Sequence, residues 1–83
     1  MYCVQMRNPL NCIDAYTEEE VLRILNSLPV ATYPVTDSLN RLALTAWVDG
    51  STLYLKPGEG WTYWVTLAVE KLQGEGHSIR VIR

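Results

Sequence analysis

The chain has 83 residues, 48% of them hydrophobic, and a formal net charge of −2. This length predicts one small soluble domain spanning residues 1–83. Seven Lys and Arg against nine Asp and Glu give no basic excess for binding nucleic acid, and no apolar run reaches the roughly 18 residues of a membrane span. Because the N-terminus also lacks the basic start and long apolar block of a signal peptide, we expect a cytoplasmic protein.

The first segment, residues 2–7, alternates like a half-buried strand. One face carries Tyr2, Val4 and Met6, and the other carries Cys3, Gln5 and Arg7. Asn8-Pro9 then breaks the pattern. The two cysteines of the chain are Cys3 and Cys12. In a reducing compartment we expect both as free thiols, with a disulfide between them as the alternative.

A helix is predicted to begin after Thr17. Thr17 and Glu20 have the spacing of a capping box, and Tyr16 and Val21 that of a hydrophobic staple. The apolar stripe that follows is Val21, Ile24, Leu25 and Leu28. Pro29 should end the helix at or near Leu28.

Residues 30–36 indicate a short strand. Pro34 lacks an amide hydrogen, so we expect this strand at a sheet edge or a bulge. Residues 37–40, Asp-Ser-Leu-Asn, are typical of a turn.

Asp49-Gly50 lies between two alternating runs and predicts a β-hairpin. With these two residues as the loop, Trp47 faces Thr52 and Thr45 faces Tyr54. One face of the hairpin should then enter the core, namely Leu42, Leu44, Ala46, Leu53 and Leu55. The other face carries large aromatics among polar residues, namely Thr45, Trp47, Thr52, Tyr54 and Lys56.

The segment after the loop at residues 56–60 fits two patterns. Trp61, Trp64, Val65, Ala68, Val69 and Leu72 form a helical stripe, whereas alternation from Trp61 to Val69 fits a strand. We favour a helix over residues 61–73, with Trp61 and Trp64 in the core, because Gly74 supplies a stop. Residues 77–83 then form a last strand built on Ile79 and Val81.

These elements predict an α+β fold in the order β-α-β-β-β-α-β. Both helices should cover one face of a mixed or antiparallel sheet. The order resembles a ferredoxin-like split βαβ sandwich with one extra strand. This resemblance is to a pattern of elements, and such folds host many functions.

The sequence gives no set of residues for catalysis, for a metal or for a cofactor. The single histidine, His77, begins a strand and is interpreted as a solvated side chain. Neither cysteine has a basic or helix-start context that would activate a thiol. The acidic run at residues 18–20 is explained by the dipole of the helix it begins, and Gly58-Glu59-Gly60 does not match a phosphate-binding loop.

The first hypothesis is therefore a non-enzymatic protein–protein interaction module. Its partner-binding residues would be Trp47, Tyr54, Thr45, Thr52 and Lys56, or an edge strand would add to a partner's sheet. The small, weakly charged profile is typical of phage or mobile-element inhibitors of a host protein, such as anti-CRISPR or polymerase inhibitors. A homodimer is compatible with this hypothesis.

Two alternatives belong to other classes. A single-stranded nucleic-acid binder would stack bases on Trp47 and Tyr54, helped by Lys56, Arg80 and Arg83, but the acidic composition disfavours it. A small enzyme or accessory subunit is disfavoured because no catalytic constellation is present.

Overall fold

The computed structural model describes residues 1–7, 10–58, 60 and 62–82. These residues form six strands and two helices. Their bounds are β1 Tyr2–Arg7, β2 Leu10–Ala15, α1 Glu18–Asn26, β3 Ala31–Thr36, β4 Leu42–Asp49, β5 Thr52–Pro57, α2 Thr62–Gly74 and β6 Ile79–Val81. The predicted α+β class and order are confirmed, and β2 is an additional strand that was not predicted. The predicted break at Asn8-Pro9 lies outside the described residues.

All six strands form one sheet in the order β2-β1-β3-β4-β5-β6. Every neighbouring pair is antiparallel except β5 and β6, which are parallel and joined by α2. In a split βαβ sandwich a third strand separates the two parallel strands, whereas here they are direct neighbours. The elements thus follow one another along the chain as in a ferredoxin-like fold. Across the sheet, however, the strands lie almost in their chain order.

One face of this sheet packs against both helices. Val4, Val35 and Leu44 lie in register on β1, β3 and β4, and all three are buried. Residues of both helices join the same core, namely Val21, Leu22 and Leu25 from α1 and Val65, Ala68, Val69 and Leu72 from α2. The two helices therefore share one face, as predicted, and none of the described residues forms a helix on the opposite face of the sheet.

Helix α1 begins at the predicted cap. The Thr17 hydroxyl accepts a hydrogen bond from the Glu20 amide at 3.2 Å, and the Glu20 carboxylate accepts one from the Tyr16 amide at 2.9 Å. The predicted staple is wrong, because Tyr16 is 74% exposed while Val21 is buried. The helix ends at Asn26, with Ser27 as its C-cap, close to the predicted end.

Helix α2 confirms the helical reading of residues 61–73. Its end is fixed by Gly76, whose φ of 99° is favourable only for glycine. The amides of Gly76 and His77 donate to the carbonyls of Gln73 and Leu72, which is the Schellman pattern. The prediction of a core Trp64 is wrong, since this residue is 51% exposed. Trp61 lies outside the described residues.

Strand β3 is internal, so the predicted edge position is wrong, and Pro34 itself pairs in register with Thr45. A bulge lies nearby, because the register with β4 shifts between Val35 and Thr36, and its extra residue is Ala43 on β4. β3 pairs with β1 only at Val35 and Thr36, so Pro34 lies outside the pairing between these two strands. The shift also turns Leu42 outward, to 53% exposure, and buries Ala43. Leu42 is therefore not the core residue that alternation predicted.

Cys3 and Cys12 form a disulfide, so the prediction of two free thiols is wrong. Cys3 lies opposite Asp14, and Cys12 lies opposite Gln5, so the cysteines are diagonal neighbours on adjacent strands. Their Cα atoms are 5.5 Å apart, within the usual range for a disulfide. Disulfides are rare in reducing compartments, so this bond does not favour the cytoplasmic location expected from the sequence.

Candidate binding face of the sheet

We call the sheet face opposite the helices the outer face. It carries the residues that alternate with the core positions of each strand. A continuous cross-strand row runs over β3, β4, β5 and β6 at one end of it. In the register of these four strands, the following residues lie side by side: Thr32, Trp47, Tyr54 and Arg80. Because sheets with one packed face commonly expose the other, this row is open to a partner.

The hairpin that positions Trp47 and Tyr54 differs from the prediction in register. The loop is Gly50-Ser51, with Asp49 opposite Thr52, and not Asp49-Gly50. Gly50 has a φ of 62°, as the first central residue of a type II′ turn requires. The change moves the pairing by two positions, so every residue keeps its face. Trp47 therefore lies directly opposite Tyr54, which the predicted register did not give.

A shallow groove of about 430 Å³ follows this aromatic pair. Trp47 and Tyr54 line it together with Thr32, and its apolar rim is formed by Val30 and Ile82. Trp47 and Tyr54 are half-buried, whereas Val30 and Ile82 are exposed. The groove thus combines a half-buried aromatic floor with apolar groups that remain in water, which is typical of contact surfaces, and Asp49 also lines it.

The other predicted binding residues extend the outer face along β4 and β5. Thr45 lies opposite Lys56, one pair further along the hairpin on this face. The Thr52 hydroxyl is 3.1 Å from that of Ser78, so Thr52 links β5 to the segment before β6. The structure therefore brings all five predicted residues together on the outer face: Trp47 and Tyr54 lie in the row, Thr45 and Lys56 form the next pair on one side of it, and Thr52 lies on the turn side.

The charge on the outer face contrasts with the charge on the helix layer. Arg23 pairs with Glu19 at 2.7 Å and with Glu75 at 2.8 Å, and Lys71 pairs with Glu19 at 3.0 Å. These contacts hold the pKa of Glu19 below its ordinary value, mainly through hydrogen bonds from Arg23 and Lys71. Among the described residues, Lys56 and Arg80 have neither a salt bridge nor a side-chain hydrogen bond.

A second exposed apolar surface lies on α2 and was missed by the sequence reasoning. It consists of Tyr63, Trp64 and Leu67, and the rings of Tyr63 and Trp64 meet edge to face with centroids 5.1 Å apart. Beside it, a groove of about 310 Å³ reaches the first turn of α1. The signal was the width of the apolar stripe on α2, which is too broad for one buried face.

The remaining chemical candidates are dispersed. The His77 ring lies 3.9 Å from the Glu75 carboxylate on the surface. Burial, followed by the nearby Glu18 carboxylate, raises the pKa of Tyr2 to about 12, further above neutral pH than that of an ordinary tyrosine. Within the described part of the chain, no three His, Cys, Asp or Glu side chains are grouped for a metal ion, and neither helix is long and apolar enough to cross a membrane.

No family model, curated protein or solved structure matches this chain. The geometry of its surfaces is therefore the basis for a functional proposal. The outer face is the larger candidate, since its row spans four strands and its groove exceeds the one on α2.

Proposed function

We propose that this chain is a non-enzymatic protein-binding module that docks its partner on the outer face. The observation that supports this most is the row in which Trp47, Tyr54 and Arg80 lie side by side on a sheet face without a helix. Trp, Tyr and Arg are the residue types that most often dominate the binding energy of protein interfaces.

The neighbours of the row support the same function. Thr32 and Thr45 offer small polar groups beside the aromatic rings, as the rim of an interface does. Val30 and Ile82 add exposed apolar area that a partner would remove from water. The residues of the row lie on strands paired with their neighbours, so the strand pairing positions these groups before binding.

In this proposal the module acts by covering a functional surface of a larger protein. An 83-residue domain that docks its partner on a single sheet face would have the size and simplicity of an inhibitor. This is the class to which the phage and mobile-element inhibitors of host proteins belong, and we propose it as the biological role.

The experiment is photo-crosslinking in cells of the organism that makes the protein. Benzoylphenylalanine replaces Tyr54 on the outer face, and in a matched control it replaces Tyr63, the exposed tyrosine of α2. We expect a defined protein to be crosslinked from position 54 and not from position 63. The crosslinked protein is then purified and its affinity for the unmodified chain is measured.

Three results would contradict the proposal. The first is equal crosslinking from both positions, and the second is crosslinking from position 63 alone. The third is a purified candidate that does not bind the unmodified chain. A measured mass of two copies, with crosslinks between copies from position 54, would instead assign the outer face to a homodimer.

A further inference from the structure

Two unneutralised cations flank one aromatic ring on the outer face. Arg80 lies directly opposite Tyr54 on the neighbouring strand, and Lys56 lies two residues along β5 on the same face. Neighbouring strands are about 4.8 Å apart, and every second residue of a strand is about 6.8 Å apart. Both charges are therefore within reach of one ligand segment that covers Tyr54.

The other Lys and Arg residues whose side chains the structure describes are neutralised internally. Arg23 and Lys71 are held by carboxylates of the helix layer, and the Arg41 guanidinium lies 3.0 Å from Asp37. Lys56 and Arg80 are exposed and have no such partner among the described residues. Of the cations whose side chains the structure describes, the two left without a partner thus both lie beside the aromatic pair.

We propose that the docked segment of the partner is acidic, with carboxylates that pair with Lys56 and Arg80 and an apolar side chain in the groove beside Trp47. This inference rests on the proposed function and specifies the chemistry of the partner. Charge-assisted hydrogen bonds from a guanidinium to a carboxylate are directional, so Arg80 would also fix the orientation of the segment.

Carboxylates explain this surface better than the phosphates of a single-stranded nucleic acid. A nucleic-acid strand requires a track of several cations, and among the side chains that the structure describes on β4, β5 and β6 the outer face offers Lys56 and Arg80. Asp49 lies at the turn end of the same face and lines the groove, and Asp14 lies on β2, so a long phosphate backbone would meet negative charge in either direction. A short segment avoids this repulsion when its carboxylates lie at Lys56 and Arg80 and only its apolar side chain enters the groove. Trp47 and Tyr54 are half-buried, which leaves less ring surface for stacked bases.

The test uses three defined probes with the isotope-labelled full chain. The first is a short fluorescent peptide that alternates glutamate with leucine, the second has glutamine in place of each glutamate, and the third is oligothymidine. We expect the glutamate peptide to bind about tenfold more tightly than its glutamine twin, and to shift the NMR signals of Trp47, Tyr54 and Arg80. Added salt should weaken its binding.

Two variants assign the effect to these cations. Lys56→Gln with Arg80→Gln should abolish the preference for the glutamate peptide, whereas Arg23→Gln, which removes a paired cation from the helix layer, should preserve it. Melting temperatures confirm that each variant folds. Equal binding of the two peptides, tighter binding of oligothymidine, or an unchanged preference in the double variant would overturn the inference.

The outcome is separable from that of the proposed function. If the crosslinked partner requires Trp47 but binds the double variant normally, the outer face is the docking site and the acidic chemistry is wrong. If the partner requires neither Trp47 nor the cations, the docking site itself is wrong.

Discussion

Asp37 shows how one side chain holds the connection between β3 and β4. One carboxylate oxygen accepts hydrogen bonds from the Leu39 and Arg41 amides, each at 2.9 Å, and the other accepts one from the Arg41 guanidinium. Asn40 completes the turn with a φ of 61°, a conformation that asparagine tolerates better than most residues. The Arg41 amide, its guanidinium and the Leu39 amide hold the pKa of Asp37 below its ordinary value.

This lowered pKa predicts a pH-dependent effect of Asp37→Asn. The folded state favours the charged carboxylate, so its contribution to stability is present above the ordinary pKa of 3.8 and is lost as pH falls through the lower folded pKa. The variant should melt at a lower temperature than the original chain at neutral pH, and the difference should shrink in acid. Thermal melts across this pH range measure it, and a pH-independent difference would contradict the assignment.

Single residues also show which positions could be predicted from the sequence. Alternation placed Trp47 and Tyr54 on the outer face, and this was confirmed because a two-residue change of register preserves faces. The exposure of Trp64 was missed: the apolar stripe of α2 is wider than one buried face, but its pattern does not show which part of the stripe the sheet covers. Arg80 was named only for the nucleic-acid alternative, because its position opposite Tyr54 depends on a parallel pairing between β5 and β6.

Between elements, the contact of the β5–α2 loop with β4 depends on a glycine. A Cβ atom on Gly58 would lie 2.6 Å from the Leu42 carbonyl oxygen and 3.0 Å from that of Ala43. The Gly58 amide also donates to the Ala43 carbonyl at 2.7 Å, so the two backbones are fixed at close range. This approach is possible only without a side chain.

Gly58→Ala and Gly74→Ala should therefore have opposite effects. Gly58→Ala should lower the free energy of unfolding by roughly 1–3 kcal/mol, because backbone atoms have to move apart. At Gly74, the last residue of α2, a Cβ atom meets nothing within 4 Å, so alanine should raise stability by about 0.4–1 kcal/mol. Urea unfolding of both variants measures this, and effects of the same sign would contradict the described loop packing.

Strand β2 was missed because its sequence is a poor strand former. Asn11 and Asp14 are depleted in strands, and the segment has only Leu10 and Ile13 as large apolar residues. Its pairing with β1 is nevertheless continuous over six residue pairs. Tertiary pairing and the Cys3–Cys12 bond thus stabilise a strand that local propensity did not predict.

The disulfide should contribute measurably to stability. Replacing Cys3 and Cys12 together by serine should lower the free energy of unfolding by about 2–3 kcal/mol, since the unfolded chain regains the freedom of the closed loop. Urea unfolding of the double variant, and of the original chain with a reductant, should give matching losses. Full alkylation of both cysteines in the unreduced protein would show that the bond is not formed.

For the whole molecule, the element order and the helix-covered face were predictable from periodicity, caps and turns. The order of strands across the sheet was not, because pairing between distant segments such as β1 and β3 leaves no local signal. The same limit applies to the binding face. Its composition was readable from alternation, whereas the row of Trp47, Tyr54 and Arg80 exists only in the assembled sheet.

The most direct measurement compares the affinities of two tryptophan variants for the partner protein. The partner is first identified by crosslinking and then purified without the crosslink. Trp47→Ala alters the outer face, and Trp64→Ala removes an exposed tryptophan from α2 as the matched control. We predict that Trp47→Ala weakens the affinity at least about tenfold, as loss of a central interface tryptophan does, while Trp64→Ala leaves it unchanged. With both variants folded by their thermal melts, an unchanged affinity for Trp47→Ala, or a loss confined to Trp64→Ala, would contradict the outer face as the docking site.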